Sequence, residues 1–293
     1  MRLIAILLAL WANHHPHQAD RWRSPVPFLR YLDWARARLP IGFDNKGALQ
    51  LALILLPPLL LFTLLQVWLE DWLFGLAEIA LGVWALLFLH GSGHVDSQLE
   101  SFLEAWREGR SDSARTYAAE LADRDISSAA DAELPIIAAE GIFWQSYRRL
   151  LVGIFWLLIV GPVGPVAVRL AVLTRDAVLL RNDSLTHYSG RLVDLLDWLP
   201  ARAAALSFAL AGSFVHAREG WQESQQAHHS DPRRLVTAAG IGALNLDDSS
   251  GAVFNADDDD AEDFLEDARQ LVGRSLMVWV GVAALLTIAG WLY

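Results

Sequence analysis

There is no cysteine anywhere in this chain of 293 residues. Disulfides, thiolate metal ligands, iron–sulfur clusters and a cysteine nucleophile are thereby excluded, and the redox compartment leaves no trace in the sequence. Lysine is almost absent as well: Lys46 stands against 22 arginines. It sits in FDNKGAL without the glycine-rich loop that a phosphate-binding lysine follows, which removes P-loop nucleotide binding and leaves Schiff-base chemistry one poorly placed candidate. The motifs G-x-S-x-G, H-E-x-x-H and G-x-G-x-x-G are missing. So is a basic excess. The formal net charge of −11 speaks against a nucleic-acid partner, because neutralising phosphates requires a net basic face.

What the chain has is apolar length. Hydrophobic residues make up 54% of it, with 13 tryptophans, while 19% is charged. That is too apolar for one soluble domain and too charged for a fully embedded transporter, so the expected fold class is an all-α integral membrane protein with a cytoplasmic helical part, its first partner the lipid bilayer. Apolar runs at 47–69 and 72–89, separated by Glu70-Asp71, predict a membrane hairpin. Basic residues precede it (Arg21, Arg23, Arg30, Arg36, Arg38, Lys46) and follow it (Arg107, Arg110, Arg115, Arg124, Arg148, Arg149), which places both flanks in the cytoplasm. From Leu150 to Val168 no residue is charged, a length that crosses ~30 Å of hydrocarbon, yet Gly161-Pro162-Val163-Gly164-Pro165 breaks it. Backbone broken at membrane depth needs protein or a water-filled cavity to satisfy it. The segment 150–168 is therefore read as one interrupted membrane segment, either a kinked crossing or a site-forming element. Returning the chain to the basic side requires a re-entry here, a crossing at Leu199 to Val215, or a loop long enough to escape the charge rule. A last run, 276–293, predicts a C-terminal membrane helix, and the apolar N-terminus a short helix packed on the protein. Glu78 is the one carboxylate inside a predicted span, open to a functional or a hydrogen-bonded structural role.

Between these runs the pattern changes. Segment 96–149 reads as cytoplasmic helices interrupted at Gly109, with Asp112 at a helix start. Arg115, Arg124 and Asp125 gather near one short helix, as an exposed salt-bridged face or as the wall of a pocket. Segment 190–216 reads as amphipathic or re-entrant helices. In it Asp194 and Asp197 share a helix face just before a predicted Pro200-Ala201-Arg202 turn. The ten acidic residues of 246–267 lack calcium-loop order and predict a solvated linker. His14-His15-Pro16-His17 and His90-x3-His94 with Asp96 have no third ligand at suitable spacing, and His228-His229 reads as a loop pair. No metal and no cofactor is expected.

Trp144-Gln145-Ser146-Tyr147-Arg148-Arg149, FWLLIVGPVG, and LLDWLPAR, in this order and spacing, resemble the AmpE family, and the resemblance runs almost the whole length, as a single domain over 1–293. It implies an inner-membrane signalling protein associated with β-lactamase induction and cell-wall metabolism. A more distant resemblance is to the cobinamide-phosphate synthases of cobalamin assembly. Their Ala-Arg and Arg-Asp pairs are matched by Ala114-Arg115 and Arg124-Asp125, and their Pro-Ala-Arg by residues 200–202. Their E-x-x-x-E-N-x-x-D signature is not. Its first Glu is Glu140, but the following positions hold Trp144, Gln145 and Arg148. Their Asp-Asp-x-x-Asn becomes Val193-Asp194-x-x-Asp197, and the later Asn-x-x-Asp falls near Val172 and Arg175 and is missing.

Amide synthesis needs clustered anionic or amide groups to place a nucleotide, its metal and an amine. Exchanging them for Trp, Arg and Val removes acceptors and adds a cation, so that chemistry is expected to be lost and no residue is assigned as catalytic. The resemblance leaves a pocket of Arg115, Arg124, Asp125, Glu140, Arg148, Asp194, Asp197 and Arg202, better suited to an anionic small molecule than to a magnesium nucleotide. The alternative is a surviving amide-forming or phosphate-transferring enzyme using Glu140, Asp194 and Asp197. No protein partner can be named.

Overall fold

Proline lacks the amide hydrogen that a helix donates four residues back, so every proline inside a helix leaves a carbonyl to be satisfied. At Pro58 and Pro200 this chain meets that demand with side chains brought from elsewhere in the sequence. The computed structural model describes residues 1–13, 24–38, 47–70, 75–90, 95–180, 185–227, 231–245 and 260–291, and among these the regular structure is helical throughout. Two compact units partition the chain, the first comprising Met1–Ser92, Val152–Pro200 and Val280–Tyr293, the second Gly93–Leu151 and Ala201–Trp279.

The first unit contains α1 (Arg2–Asn13), α2 (Val26–Arg38), α3 (Gly47–Glu70), α4 (Leu76–His90), α8 (Val152–Val160), α9 (Val163–Leu179), the start of α10 (Thr186–Ala211) and the end of α13 (Asp260–Ile288). Its core is built from Phe28 of α2, Leu51 and Leu55 of α3, Ala85 and Phe88 of α4, and Val166, Leu170 and Leu173 of α9. Among the described residues, three helical stretches are long and apolar enough to cross a membrane: Gly47–Leu69, Asp131–Val160 and Asp260–Ile288.

At the Gly-Pro break the chain reverses. Gly161 adopts φ of +84°, a conformation that glycine reaches at little cost. A Cβ added to Gly164 would lie 2.6 Å from the carbonyl oxygen of Trp156, whereas residues eight apart in a continuous helix are separated by ~12 Å. The uncharged stretch 150–168 is therefore not one kinked crossing. It holds α8 and the first turns of α9, folded back on each other.

Two proline-freed carbonyls and one helix-end carbonyl are capped in this unit. Pro58 frees Ile54, whose oxygen accepts from the Tyr31 hydroxyl at 3.1 Å. Leu158 lies in the last turn of α8, whose carbonyls have no partner within the helix, and it accepts from Arg2 Nη1 at 2.7 Å. Pro200 frees Leu196, which accepts from Trp156 Nε1 at 3.1 Å. Tyr31→Phe removes the donor and keeps the ring, and Trp156→Phe removes the donor with part of the indole, so each should lower stability by on the order of 1 kcal/mol or more. Thermal unfolding in nanodiscs checks this, and an unchanged midpoint in both variants would show that the freed carbonyls find other donors.

The second unit contains α5 (Val95–Arg107), α6 (Ser111–Ala122), α7 (Leu134–Ser146), α11 (Phe214–Ala227), α12 (Pro232–Ala243), the end of α10 and the start of α13. Its helices meet through glycine. A Cβ on Gly141 of α7 would fall 2.6 Å from the backbone of Leu121 in α6, and one on Gly240 of α12 would fall 2.6 Å from the Phe143 ring. Helices α11 and α12 approach backbone to backbone at Gly220 and Gly242. The helical path of α7 passes through a π-helical turn, Tyr147–Leu151, directly into α8. The division predicted at residue 149 is thus a continuous helical run.

Two further expectations are corrected. Pro200 does not end a helix at a Pro-Ala-Arg turn but lies inside α10, where Ala201, Ala204 and Ala205 are buried and Trp156 satisfies the freed carbonyl. Residues 260–267, assigned to a solvated linker, form the first two turns of α13. Ala261, Phe264, Leu265, Ala268 and Leu271 are buried along one stripe, and it is the acids between them that make the composition look unstructured. The predicted membrane helix 276–293 is accordingly the second half of a longer one. Residues 246–259, Lys46, Asp71, His14, His15, His17, His94, His228 and His229 lie outside the described residues, and the His90 side chain does too.

Candidate functional site

Glu140, Trp144 and Arg148 recur at four-residue intervals, so they emerge along one side of the helical run through α7 and the π turn. Around them the second unit assembles three guanidinium groups. Arg124 Nη2 donates to Glu140 Oε2 at 2.6 Å. The Arg148 Cζ stands 5.5 Å from the Trp144 ring centroid and the Arg233 Cζ 5.4 Å, both within cation–π range. Tyr147 stacks on Trp144 with centroids 5.4 Å apart, which fixes the indole. Three arginines thus gather at Glu140 and the Trp144 ring.

Arg233 arrives from the first turn of α12. Asp231 caps that helix, accepting from the Arg233 amide at 3.0 Å, and Pro232 follows the cap. Its Nη1 donates to the Asp123 carbonyl at 3.4 Å, while its Nη2 is buried with no hydrogen-bond partner. Burial draws the Arg233 pKa below its ordinary value and the positive charge of Arg124 adds to the shift, whereas Asp123, Glu140 and Asp231 oppose it. A guanidinium that remains charged, with one donor idle and another cation nearby, is a group prepared for an anion.

The other predicted residues divide by role. Arg115 is committed to structure: its Nη1 donates to the carbonyls of Ala129 at 2.7 Å and Ile126 at 3.1 Å, and its Nη2 to Asp131. Asp125 closes the same loop by accepting from the Ser127 amide at 3.0 Å, and Ser127's backbone and hydroxyl hold its carboxyl below the usual range. Gln145, at the Asn position of the synthase signature, donates to the Leu121 carbonyl at 2.7 Å, satisfying the end of α6. Asp194 and Asp197 belong to the first unit, the former exposed and the latter only 4% exposed, and Arg202 is half-buried in the second. Among the described residues no three His, Asp or Glu side chains form a metal-binding group.

Sequence reasoning missed Arg233. The signal was present in Asp231-Pro232-Arg233-Arg234, a helix start that puts two cations where the helix dipole disfavours them. Such a local conflict marks a residue retained for another reason.

The family model described as "Regulatory signalling modulator protein AmpE" matches residues 1–293. The chain belongs to the AmpE family. Protein AmpE of Shigella flexneri is 27% identical over 165 residues, 53% of this chain and 58% of that protein. Two proteins named "Cobalamin biosynthesis protein CobD" match over more of the chain. That of Chromobacterium violaceum is 28% identical over 268 residues, 86% of this chain and 81% of that protein. That of Stutzerimonas stutzeri is 28% identical over 263 residues, 86% and 84% respectively. No solved structure matches the chain. AmpE membership and the apolar helices together describe a helical membrane protein of a regulatory family that is similar along most of its length to cobalamin-biosynthesis proteins.

Proposed function

We propose that this chain is a ligand-sensing regulator of the inner membrane, acting in β-lactam response and cell-wall metabolism, and that its ligand is an anionic small molecule held by Arg124, Arg148 and Arg233 around Trp144. The observation that carries the reading is the buried, unpartnered Nη2 of Arg233, beside Arg124 and over the Trp144 ring that Arg148 also approaches. The family description supports the regulatory part. In this reading the basic flanks of the α3–α4 pair face the cytoplasm, and with them the second unit and its site.

The same positions argue against retained amide synthesis. Where the synthase signature has acid, amide and acid, this chain places an indole, an amide spent on helix α6, and a guanidinium stacked on the indole. A second reading, catalysis through Glu140, Asp194 and Asp197, is favoured by the 86% coverage of the cobalamin-biosynthesis relatives. In it Glu140 must leave Arg124 to act as a base or a ligand.

Purified protein in nanodiscs, titrated with inorganic phosphate, citrate and a nucleoside monophosphate, separates the two. Binding at a hundred times Kd should add about 2.7 kcal/mol to stability. The sensor reading expects an upward thermal shift with at least one anion, without magnesium, and its loss in Arg233→Gln and Arg148→Gln. A shift that requires magnesium and is abolished by Asp194→Asn supports the enzyme reading. No shift with any anion removes the proposed site.

A further inference from the structure

The end of α10 and the start of α11 carry large apolar side chains that the protein leaves uncovered. Leu206 is 47% exposed, Leu210 60%, Phe214 52% and Val215 62%. Leu206 and Leu210 lie one turn apart on a single stripe, and Phe214 and Val215 follow immediately at the corner. The opposite side of this stretch is buried through Ala204, Ala205, Phe208 and Ala209, so the exposed side chains are a second face of an element already packed, and not a frayed end.

One hydrogen bond fixes the depth of this face. Ser207 Oγ lies 2.6 Å from Ser275 Oγ, with both serines buried. Ser275 directly follows Arg274, the last charged residue of α13, and from it to Ile288 the helix carries no charge. In a helix that crosses a membrane, that change marks the edge of the hydrocarbon. Ser207 is therefore at the same level and Leu206 beside it, with Leu210 about 4.5 Å further along α10. Exposed Arg218, one turn beyond Phe214, is placed as the cation of an interfacial amphipathic element that meets lipid phosphates.

The geometry points to the α10–α11 corner as a lipid-docking surface: Leu206, Leu210, Phe214 and Val215 insert into the headgroup–acyl boundary of the leaflet that α13 enters. The occupant is lipid rather than a second copy of the chain. Four side chains fall far short of the roughly 20–30 residues a side of a stable dimer, and a two-fold contact would bring like arginines together. The inference rests on α13 crossing the membrane and is independent of any ligand at Trp144.

Because the native chain has no cysteine, single cysteines report without background. Leu210→Cys and Phe214→Cys, spin-labelled in the full chain and reconstituted into nanodiscs of phosphatidylethanolamine and phosphatidylglycerol, give collision rates with oxygen and with a water-soluble nickel chelate. Glu104→Cys, on exposed α5 surface, is the aqueous reference and Leu285→Cys the hydrocarbon reference. The expected oxygen-to-nickel ratio at 210 and 214 lies several-fold above that of position 104 and below that of 285. A ratio equal to that at 104 overturns the proposal, and spin–spin broadening between copies overturns it in favour of a dimer contact. Val215→Cys carries the same measurement if a label at 214 lowers the folded yield.

Discussion

Arg2→Met should destabilise the protein by about 3 kcal/mol or more, because one side chain serves two elements at once. Arg2 Nη1 donates to the Leu158 carbonyl in the last turn of α8, and Arg2 Nε lies 3.9 Å from Glu78 Oε1, with the two side chains only 19% and 18% exposed. Removing the guanidinium leaves an uncompensated carboxylate on an apolar helix and an unsatisfied backbone oxygen at the α8–α9 reversal. Arg2→Met combined with Glu78→Gln should recover the part due to the stranded charge and leave a residual deficit of on the order of 1 kcal/mol for the carbonyl. Unfolding of the single and double variants in nanodiscs measures both. Equal midpoints for wild type and Arg2→Met would mean that the arginine reaches solvent and holds nothing.

Gly141→Val should be nearly as damaging, through packing instead of charge. The added Cβ would sit 2.6 Å from both the carbonyl carbon and oxygen of Leu121 and 2.9 Å from the Ala122 nitrogen. Those atoms are backbone at the end of α6, where no rotamer change can make room. Helix α7 must move off α6, and with it Glu140 moves off Arg124. Overpacking at a site with no side-chain escape belongs at the upper end of the usual range, about 3 kcal/mol. Anion titration of the variant should show weaker binding alongside the lowered midpoint. Retained stability with retained binding would show that α6 and α7 slide apart without consequence.

Much of this was written locally. The Gly-Pro break, the helix stop at Gly109 and the packed N-terminal helix follow from residue types whose backbone preferences do not depend on tertiary context. Glu140, Trp144 and Arg148 could be placed on one face by spacing alone. What could not be read was which distant donor meets which carbonyl. Tyr31, Arg2 and Trp156 look like an ordinary aromatic, a start-of-chain cation and a membrane tryptophan until the fold sets them beside Ile54, Leu158 and Leu196. The start of α13 was misread for a different reason. Its acidic content outweighs its apolar residues in composition, but folding acts on the stripe they form. Arg233 was overlooked because its chemistry depends on α12 lying against α7, a relation that Gly240 and Phe143 set and that spacing along the chain does not express.

The two proline–donor pairs also constrain how the sequence can change over time. Tyr31→Phe is harmful only while Pro58 is present, since a residue with an amide hydrogen at 58 would bond Ile54 itself and release the hydroxyl. The same order applies to Pro200 with Trp156. Loss of the proline first is permissive, and loss of the donor first is deleterious. Each pair is thus an epistatic ratchet, and descendants of this chain should retain donors for as long as they retain the prolines.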